Sequence, residues 1–270
     1  MFEHIITVIG MPRSGTSWLG QILDSSPRVA FRLSPLFSYA LKNSVDESSS
    51  KADYEQMLMR AYLANNNEFM NQFDRRKAGH YPVFKEKFAD PDFLVIKDTR
   101  YHNLITRMLE LLDNLKMLAI VRHPCGAIHS WLTNPGEFPA GADPMTEWRT
   151  GACRKTGPEE FWGFEDWKKV TRLHMALEDS FPERFRIVQY EDLVRQPVQQ
   201  TQAMFEFVEL EYTKQTGDFL IASQQIDDPD PYAVFKKPGS KDRWRADLAP
   251  EILNEIIKEI QNTELARFLR

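Results

Sequence analysis

The chain has 270 residues, 42% of them hydrophobic and 27% charged, and a net charge of −5. That is ordinary globular material, enough for one large α/β domain or two small ones, and it excludes a low-complexity or disordered chain. The acidic balance argues against a nucleic-acid binder working through a general basic field, but leaves room for a local cationic cluster around a small anion.

Residues 6–9 are apolar and β-branched, which predicts a buried strand. Gly10, Pro12 and Gly15 then break it into a tight turn. From Ser17 onward Leu19, Ile22 and Leu23 share one helical face. Strand, glycine-bounded loop and helix together make an anion cradle, because loop and first-turn N–H groups point at the ligand and the helix dipole favours negative charge. Asp24-Ser25-Ser26-Pro27 closes that helix, residues 28–33 read as a short strand, and Pro35 opens a predicted helix over 35–41. Residues 43–51 are a polar loop. Tyr54, Met57, Leu58, Ala61 and Tyr62 give a helix stopped by Asn65-Asn66-Asn67. Residues 68–91, rich in Phe and Lys, carry no clear pattern.

A second buried strand covers 93–96 and ends at Lys97-Asp98, and a helix follows over 104–112. The strand over 117–121 ends at Arg122-His123-Pro124 and leads into a helix through Ala127, Ile128, Trp131 and Leu132. Residues 134–158, with much Gly, Pro and Asp, read as a long loop with short helices, the kind that forms lids and binding loops. Then come a helix over 161–181, a strand over 185–190, helices around 197–209 and 213–223, a proline-rich loop over 227–241, and an amphipathic helix over 250–269. Strands alternating with helices predict an α/β single domain with a central parallel β-sheet flanked by helices and right-handed crossovers. No run approaches the ~20 apolar residues of a membrane span. Residues 1–4 carry no basic and apolar leader, and two cysteines make no disulfide framework, so a cytoplasmic protein is expected.

In such sheets ligands bind beyond the carboxyl ends of the strands. The residues there are Arg13, Lys97-Asp98, Arg122-His123 and Tyr190-Glu191-Asp192, and three of the four places carry a cation. The first loop is nearly a Walker A sequence, but Thr16 stands where that motif has its lysine. A forked cation earlier in the loop, Arg13, suits a shorter anion than a nucleoside triphosphate. A P-loop kinase with Asp98 holding Mg²⁺ stays open as an alternative, as does a βα turn with no ligand. Cys and His do not cluster at ligand spacing, so no metal is expected.

Pro12-Arg13-Ser14-Gly15-Thr16-Ser17-Trp18-Leu19 closely resembles the 5′-phosphosulfate loop of sulfotransferases that use 3′-phosphoadenosine 5′-phosphosulfate (PAPS), often P-[KR]-S-G-T-[ST]-W-L. Arg122, with Ser130 eight positions on, resembles the family's 3′-phosphate motif. Tyr190-Glu191-Asp192-Leu193, with Pro197 beyond it, and Gly239-Ser240-Lys241-Asp242-Arg243-Trp244 are similar to two further family segments. The matches run in family order from residue 5 to about 245 and are nearest to carbohydrate- and tyrosylprotein-type and bacterial members.

The resemblance implies a P-loop-like, sulfotransferase-type domain, with an acceptor-side loop insertion around 134–160. It implies PAPS as co-substrate and no metal. Arg13, Ser14, Gly15, Thr16 and Ser17 would hold the phosphosulfate, with Trp18 and Tyr190 near adenine. Arg122 and Ser130 would hold the 3′-phosphate, with Ser240, Lys241 and Arg243 closing over it. By pattern alone Trp18 and Tyr190 serve equally as core residues, and the basic loop as a solvated one. Arg13 takes the place of the family's catalytic loop cation, and Lys97 that of a second cation near the transferred group. Members that use a histidine base carry it two residues after the matching lysine, where this chain has Thr99. Others place a glutamate shortly after the first helix, where it reads Phe31-Arg32-Leu33-Ser34-Pro35. Asp98 and His102 are then the nearest candidates for the base. Glu191 and Asp192 read as helix caps. The acceptor would be the hydroxyl or amine of a small molecule or glycan, with a lean to carbohydrate or glycolipid because the loop arginine recurs among carbohydrate-sulfating relatives. Without a base, the same residues would make a non-catalytic nucleotide-binding module.

Overall fold

The apolar runs of the sequence become the centre of one parallel sheet. In a computed structural model that describes residues 4–270, without the side chains of residues 240 and 241, five strands pair in the order β2-β3-β1-β4-β5. They are β1 (His4–Ile9), β2 (Val29–Leu33), β3 (Phe93–Asp98), β4 (Leu115–Val121) and β5 (Phe185–Gln189), all parallel. Parallel strands carry helices on both faces, so the inner strands read as continuous hydrophobic runs. β1 lies in the middle, with Val8 beside Lys97 of β3 and Leu118 of β4.

The two-residue period of a strand sorts these side chains into two cores. Ile6, Val8, Phe93, Val95, Leu118 and Ile120 face one way, onto Leu19, Ile22 and Leu23 of α1 (Thr16–Asp24). Ile5, Ile9, Leu94, Ile96 and Met117 face the other, onto α2 (Lys51–Leu63) and α3 (Ile105–Leu111). A capping box starts α2, in which the Ser50 hydroxyl accepts from the Asp53 N–H and the Asp53 carboxylate from the Ser50 N–H. Beyond β4, a third cluster built on Trp131, Phe164, Trp167 and Ile256 joins α4 (Pro124–Leu132), α5 (Gly163–Ser180) and the C-terminal helix Pro250–Ile260. Among the described residues no helix is long and apolar enough to cross a membrane.

Several segments differ from expectation. The helix predicted over 35–41 is only a 3₁₀ turn, Pro35–Phe37. It is entered through Ser34 at φ 37° and ended by Ser38, which returns to extended backbone at ψ 146°. Residues 68–91, patternless in sequence, hold two short helices, Glu68–Asn71 and Phe73–Lys77. Polar anchors hold that segment: Arg76 and Lys87 reach buried Asp24 at the end of α1, at 2.7 and 2.8 Å. The last helix ends at Ile260 rather than 269, because the Thr263 hydroxyl donates to the Ile260 carbonyl and accepts from the Leu265 N–H, starting a separate 3₁₀ turn. Residues 134–158 hold the helix Pro144–Thr150 and a 3₁₀ turn, Ala152–Arg154.

Ile22 has no exposed surface and sits at the centre of the α1 contact with the sheet. Ile22→Ala is expected to cost about 2–5 kcal/mol of unfolding free energy, measured by urea denaturation.

Candidate active site

Gly10 leaves β1 so close to β4 that a Cβ there would lie 2.5 Å from the Ile120 carbonyl oxygen. The loop turns through two left-handed residues, Arg13 at φ 68° and Gly15 at φ 94°, with the Ser14 N–H donating to the Met11 carbonyl at 3.2 Å. Gly15 is the N-cap of α1 and has no side chain with which to cap it. First-turn N–H groups have no acceptor within a helix, so these remain available to an anion at the positive end of the dipole. A Cβ on Gly15 would meet the Tyr190 ring at 2.6 Å, so only glycine lets the loop lie against the residue that follows β5.

Two guanidinium groups converge on this loop. Arg122 Nη1 donates to the Arg13 carbonyl at 3.0 Å, and its guanidinium lies over the Tyr190 ring, 4.8 Å from the centroid. Arg13 Nε donates to Ser130 Oγ at 3.2 Å and Nη2 to the Pro231 carbonyl at 2.6 Å. Burial lowers the Arg13 pKa, Arg122 lowers it further, and Glu137 opposes both. A guanidinium stays charged regardless. Burial also pushes Lys97 down to about 8, against the pull of Asp98 and Glu137. Asp98 is pushed up to about 6 by burial, although its Oδ1 accepts the N–H of Thr99 at 2.9 Å and of Arg100 at 3.1 Å.

These groups surround a cavity of about 860 Å³, lined by residues at or just beyond the carboxyl ends of all five strands. Ligand pockets commonly fall in this size range. Eight Lys or Arg and three Asp or Glu line it, in a chain that has 34 of the former and 39 of the latter overall. The protein is acidic and its cavity is cationic.

The cavity gathers most of the residues expected from sequence. Gly15, Thr16, Ser17 and Trp18 form its wall at α1, with Arg13 above them. Lys97, Arg122, Ser130, Tyr190 and Arg243 line it from the other elements. Trp18 serves both readings: its Nε1 donates to Ser223 Oγ at 3.0 Å in the core, and its ring edge faces Tyr190 at 6.4 Å on the cavity side. Arg243 faces Asp227 at 3.3 Å. The expected side chains of Ser240 and Lys241 lie outside the described residues.

Three placements depart from expectation. The Ser14 hydroxyl is buried beneath the loop, away from the cavity. The Asp98 carboxylate turns back onto the Thr99 and Arg100 amides instead of reaching the cavity. His102 is 1% exposed, packed edge-on against Phe161 at 5.0 Å and beside His174 at 5.4 Å. Burial holds its pKa well below the usual range, so it is a neutral core imidazole. Glu191 does cap, but for another element: its Oε1 accepts the His123 N–H at 3.0 Å, at the start of α4.

Glu137 and Tyr232 had no sequence signal. The 134–158 and 227–241 loops stood out only by composition, and nothing in their spacing singles out a residue. Tyr232 presents its ring to Arg13 at 5.3 Å and Arg75 at 4.7 Å. Arg100 lies over Phe37 at 3.7 Å and pairs with Glu160 at 2.9 Å. Among the described residues, no group of three or more His, Cys, Asp or Glu is placed to hold a metal ion.

The chain belongs to the sulfotransferase family, whose sequence profile it matches over residues 6–214. Several solved structures share its fold. The sulfotransferase domain of the Synechococcus PCC 7002 olefin synthase is 18% identical, with 94% of this chain and 93% of that one covered and a TM-score of 0.54. Mouse sulfotransferase SULT7A1 complexed with PAP is 14% identical, with 100% and 89% covered and a TM-score of 0.57. Retinol dehydratase, in complex with androsterone and inactive cofactor PAP, is 13% identical, with 98% and 83% covered and a TM-score of 0.53. No curated protein sequence matches the chain significantly.

Gly15→Ala forces a side chain into a left-handed position and into the Tyr190 ring. It is expected to cost about 1–3 kcal/mol in thermal or urea unfolding, whereas Tyr190→Ala in the same background should recover part of that loss.

Proposed function

We propose that the protein transfers the sulfuryl group of PAPS to a hydroxyl or amine of a small-molecule or glycan acceptor, without a metal, in the cytoplasm. The observation that carries this is the pair of guanidiniums at one loop, with Arg122 donating to the Arg13 carbonyl and Arg13 to Ser130, beside the uncapped start of α1. The donor has a phosphosulfate and a 3′-phosphate separated by a nucleoside, and so asks for two anion sites on one face. Arg13 with the first-turn N–H groups of α1 suits the phosphosulfate. Arg122 with Ser130 suits the 3′-phosphate, with Ser240, Lys241 and Arg243 on the chain that follows residues 227–236, a strap that lines the cavity. The cavity faces of Trp18 and Tyr190 suit the adenine. The PAP bound to the mouse enzyme and to retinol dehydratase supports a nucleotide of this class. Thr16, in the place of the Walker lysine, weighs against a triphosphate.

Charge develops on the bridging oxygen as the sulfur–oxygen bond to the phosphate breaks. Arg13 and Lys97 would stabilise it, and fixed cations of this kind are often the largest catalytic contribution. Two unpaired cysteines, Cys125 and Cys153, fit a reducing compartment. The aromatic wall of Phe37, Phe69 and Trp162, mixed with Arg100 and Arg154, suits an acceptor with both a ring or sugar face and polar edges.

Adenosine 3′,5′-bisphosphate at ~100 times its Kd is expected to stabilise the protein by about 2.7 kcal/mol in a thermal-shift experiment, with no gain from Mg-ATP. Stabilisation by Mg-ATP alone would sink the reading. Arg13→Ala is expected to lower transfer about 10²–10³-fold, measured with labelled donor. Lys97 carries its charge below about pH 8 and loses it above. The kcat/KM for donor should therefore fall as pH rises through about 8, and Lys97→Met should flatten that limb of the profile.

A further inference from the structure

We propose that Glu137 is the base that takes the proton from the acceptor hydroxyl, an assignment that rests on the sulfuryl-transfer reading. The chemistry needs a proton acceptor at the cavity surface, beside the cations that receive the leaving oxygen. Among the described residues three carboxylates line the cavity: Glu137, Asp227 and Asp228. Asp228 is committed to His80 at 2.8 Å, and Asp227 faces Arg243 at 3.3 Å. Both sit on the strap. Glu137 differs in two ways. Its ion pair with Arg154 is long, 3.9 Å, and its side chain is 18% exposed, enough to meet a ligand while shielded from bulk water. Its charge also acts on both Arg13 and Lys97, the two cations proposed for the transferred group.

The chain aims Glu137 by a turn at the end of α4. The buried Asn134 accepts the Glu137 N–H on its carbonyl at 3.0 Å and the Gly136 N–H on its side-chain oxygen at 3.0 Å. A Cβ on Gly136 would lie 2.5 Å from the Tyr232 hydroxyl, so glycine lets the strap tyrosine close on this turn. There the Tyr232 hydroxyl comes beside the Asn134 and Glu137 side chains, close enough for both to act on its pKa. Burial, and then the charge of Glu137, raise its pKa, so the phenol keeps its proton beside that carboxylate.

The other lining groups serve less well. Ser34 and Thr99 are neutral hydroxyls, and they occupy the two places where the family resemblance led us to look for a base. His129 lies beside Asp247, at 3.9 Å, on the Arg122 side of the cavity. Lys97 is mostly ammonium at neutral pH. In the proposed step the acceptor O–H bond breaks and its proton passes to a Glu137 carboxylate oxygen. The freed lone pair forms the new oxygen–sulfur bond. The bond from sulfur to the bridging oxygen breaks, and its electron pair leaves on the phosphate of adenosine 3′,5′-bisphosphate, beside Arg13 and Lys97.

The test is single-turnover consumption of ³⁵S-labelled PAPS by the full chain, with phenol, 4-nitrophenol, a monosaccharide set and water as acceptors. Glu137→Gln is expected to slow transfer about 10²–10⁴-fold. Its Kd for adenosine 3′,5′-bisphosphate, measured by calorimetry, should stay within about threefold of wild type or tighten, because a carboxylate near two donor cations is gone. The loss should be smallest with 4-nitrophenol, which ionises without help. Transfer by Glu137→Gln within threefold of wild type, or an equal loss with every acceptor, overturns the base. Wild-type protein that binds the bisphosphate but consumes no donor with any acceptor, water included, overturns the enzyme and the base together. Wild-type protein that fails to bind the bisphosphate overturns the donor-site reading itself.

Discussion

One hydrogen bond ties the site together, from Arg122 Nη1 to the carbonyl of Arg13. It brings the residue after β4 onto the loop after β1, and so places two like charges at one point inside an acidic protein. Like charges held close in a cavity repel, and a buried guanidinium loses hydration. The structure offsets this with the Arg13 contacts to Ser130 Oγ and the Pro231 carbonyl, with Tyr190 and Tyr232 under the two guanidiniums, and with Glu137 opposite. None of these removes the positive charge. On the proposed function, a polyanion that replaced part of that web would gain the attraction of both groups, a local cationic site in an acidic chain.

The parallel sheet makes this arrangement possible. From β1 the chain passes to one edge of the sheet, and from β3 it crosses back over β1 to β4. All five carboxyl ends therefore open on the same crevice. Each contributes one kind of part: the loop from β1, the left-handed Ser34 from β2, the ammonium from β3, the second guanidinium from β4 and the aromatic face from β5. Two connections also line the crevice, the turn at 134–137 and the strap over 227–236, and Tyr232 of the strap lies against the turn at Gly136.

Legibility in the sequence followed the physics of each part. The sheet was legible because buried parallel strands are continuous apolar runs, and the anion loop because glycine spacing is a backbone requirement. Arg122 and Ser130 were legible only through their resemblance to a family motif; by pattern alone Ser130 is a helix-face hydroxyl. Buried Arg32 shows the limit: it alternates with apolar neighbours as a strand residue would, yet its guanidinium is spent on the carbonyls of Ala61 and Tyr62 and on Asn65. His102 and Asp98 were favoured by nearness along the chain, but nearness along a strand end says nothing of which way a side chain turns. Glu137 was invisible for the opposite reason. Its role depends on Tyr232, 95 positions away in the sequence, and no local pattern records such a meeting.

Arg13 carries one more consequence through its backbone. At φ 68° it occupies a region where L-residues other than glycine are uncommon, and glycine there would sit without strain. The position to which the proposed function assigns a catalytic cation is thus one where the backbone favours glycine. For stability alone glycine would serve better at 13, and it is the anion chemistry proposed above that gives the arginine a reason to be there. Any effort to make this fold more heat-resistant by relieving strained residues would begin by dismantling its site.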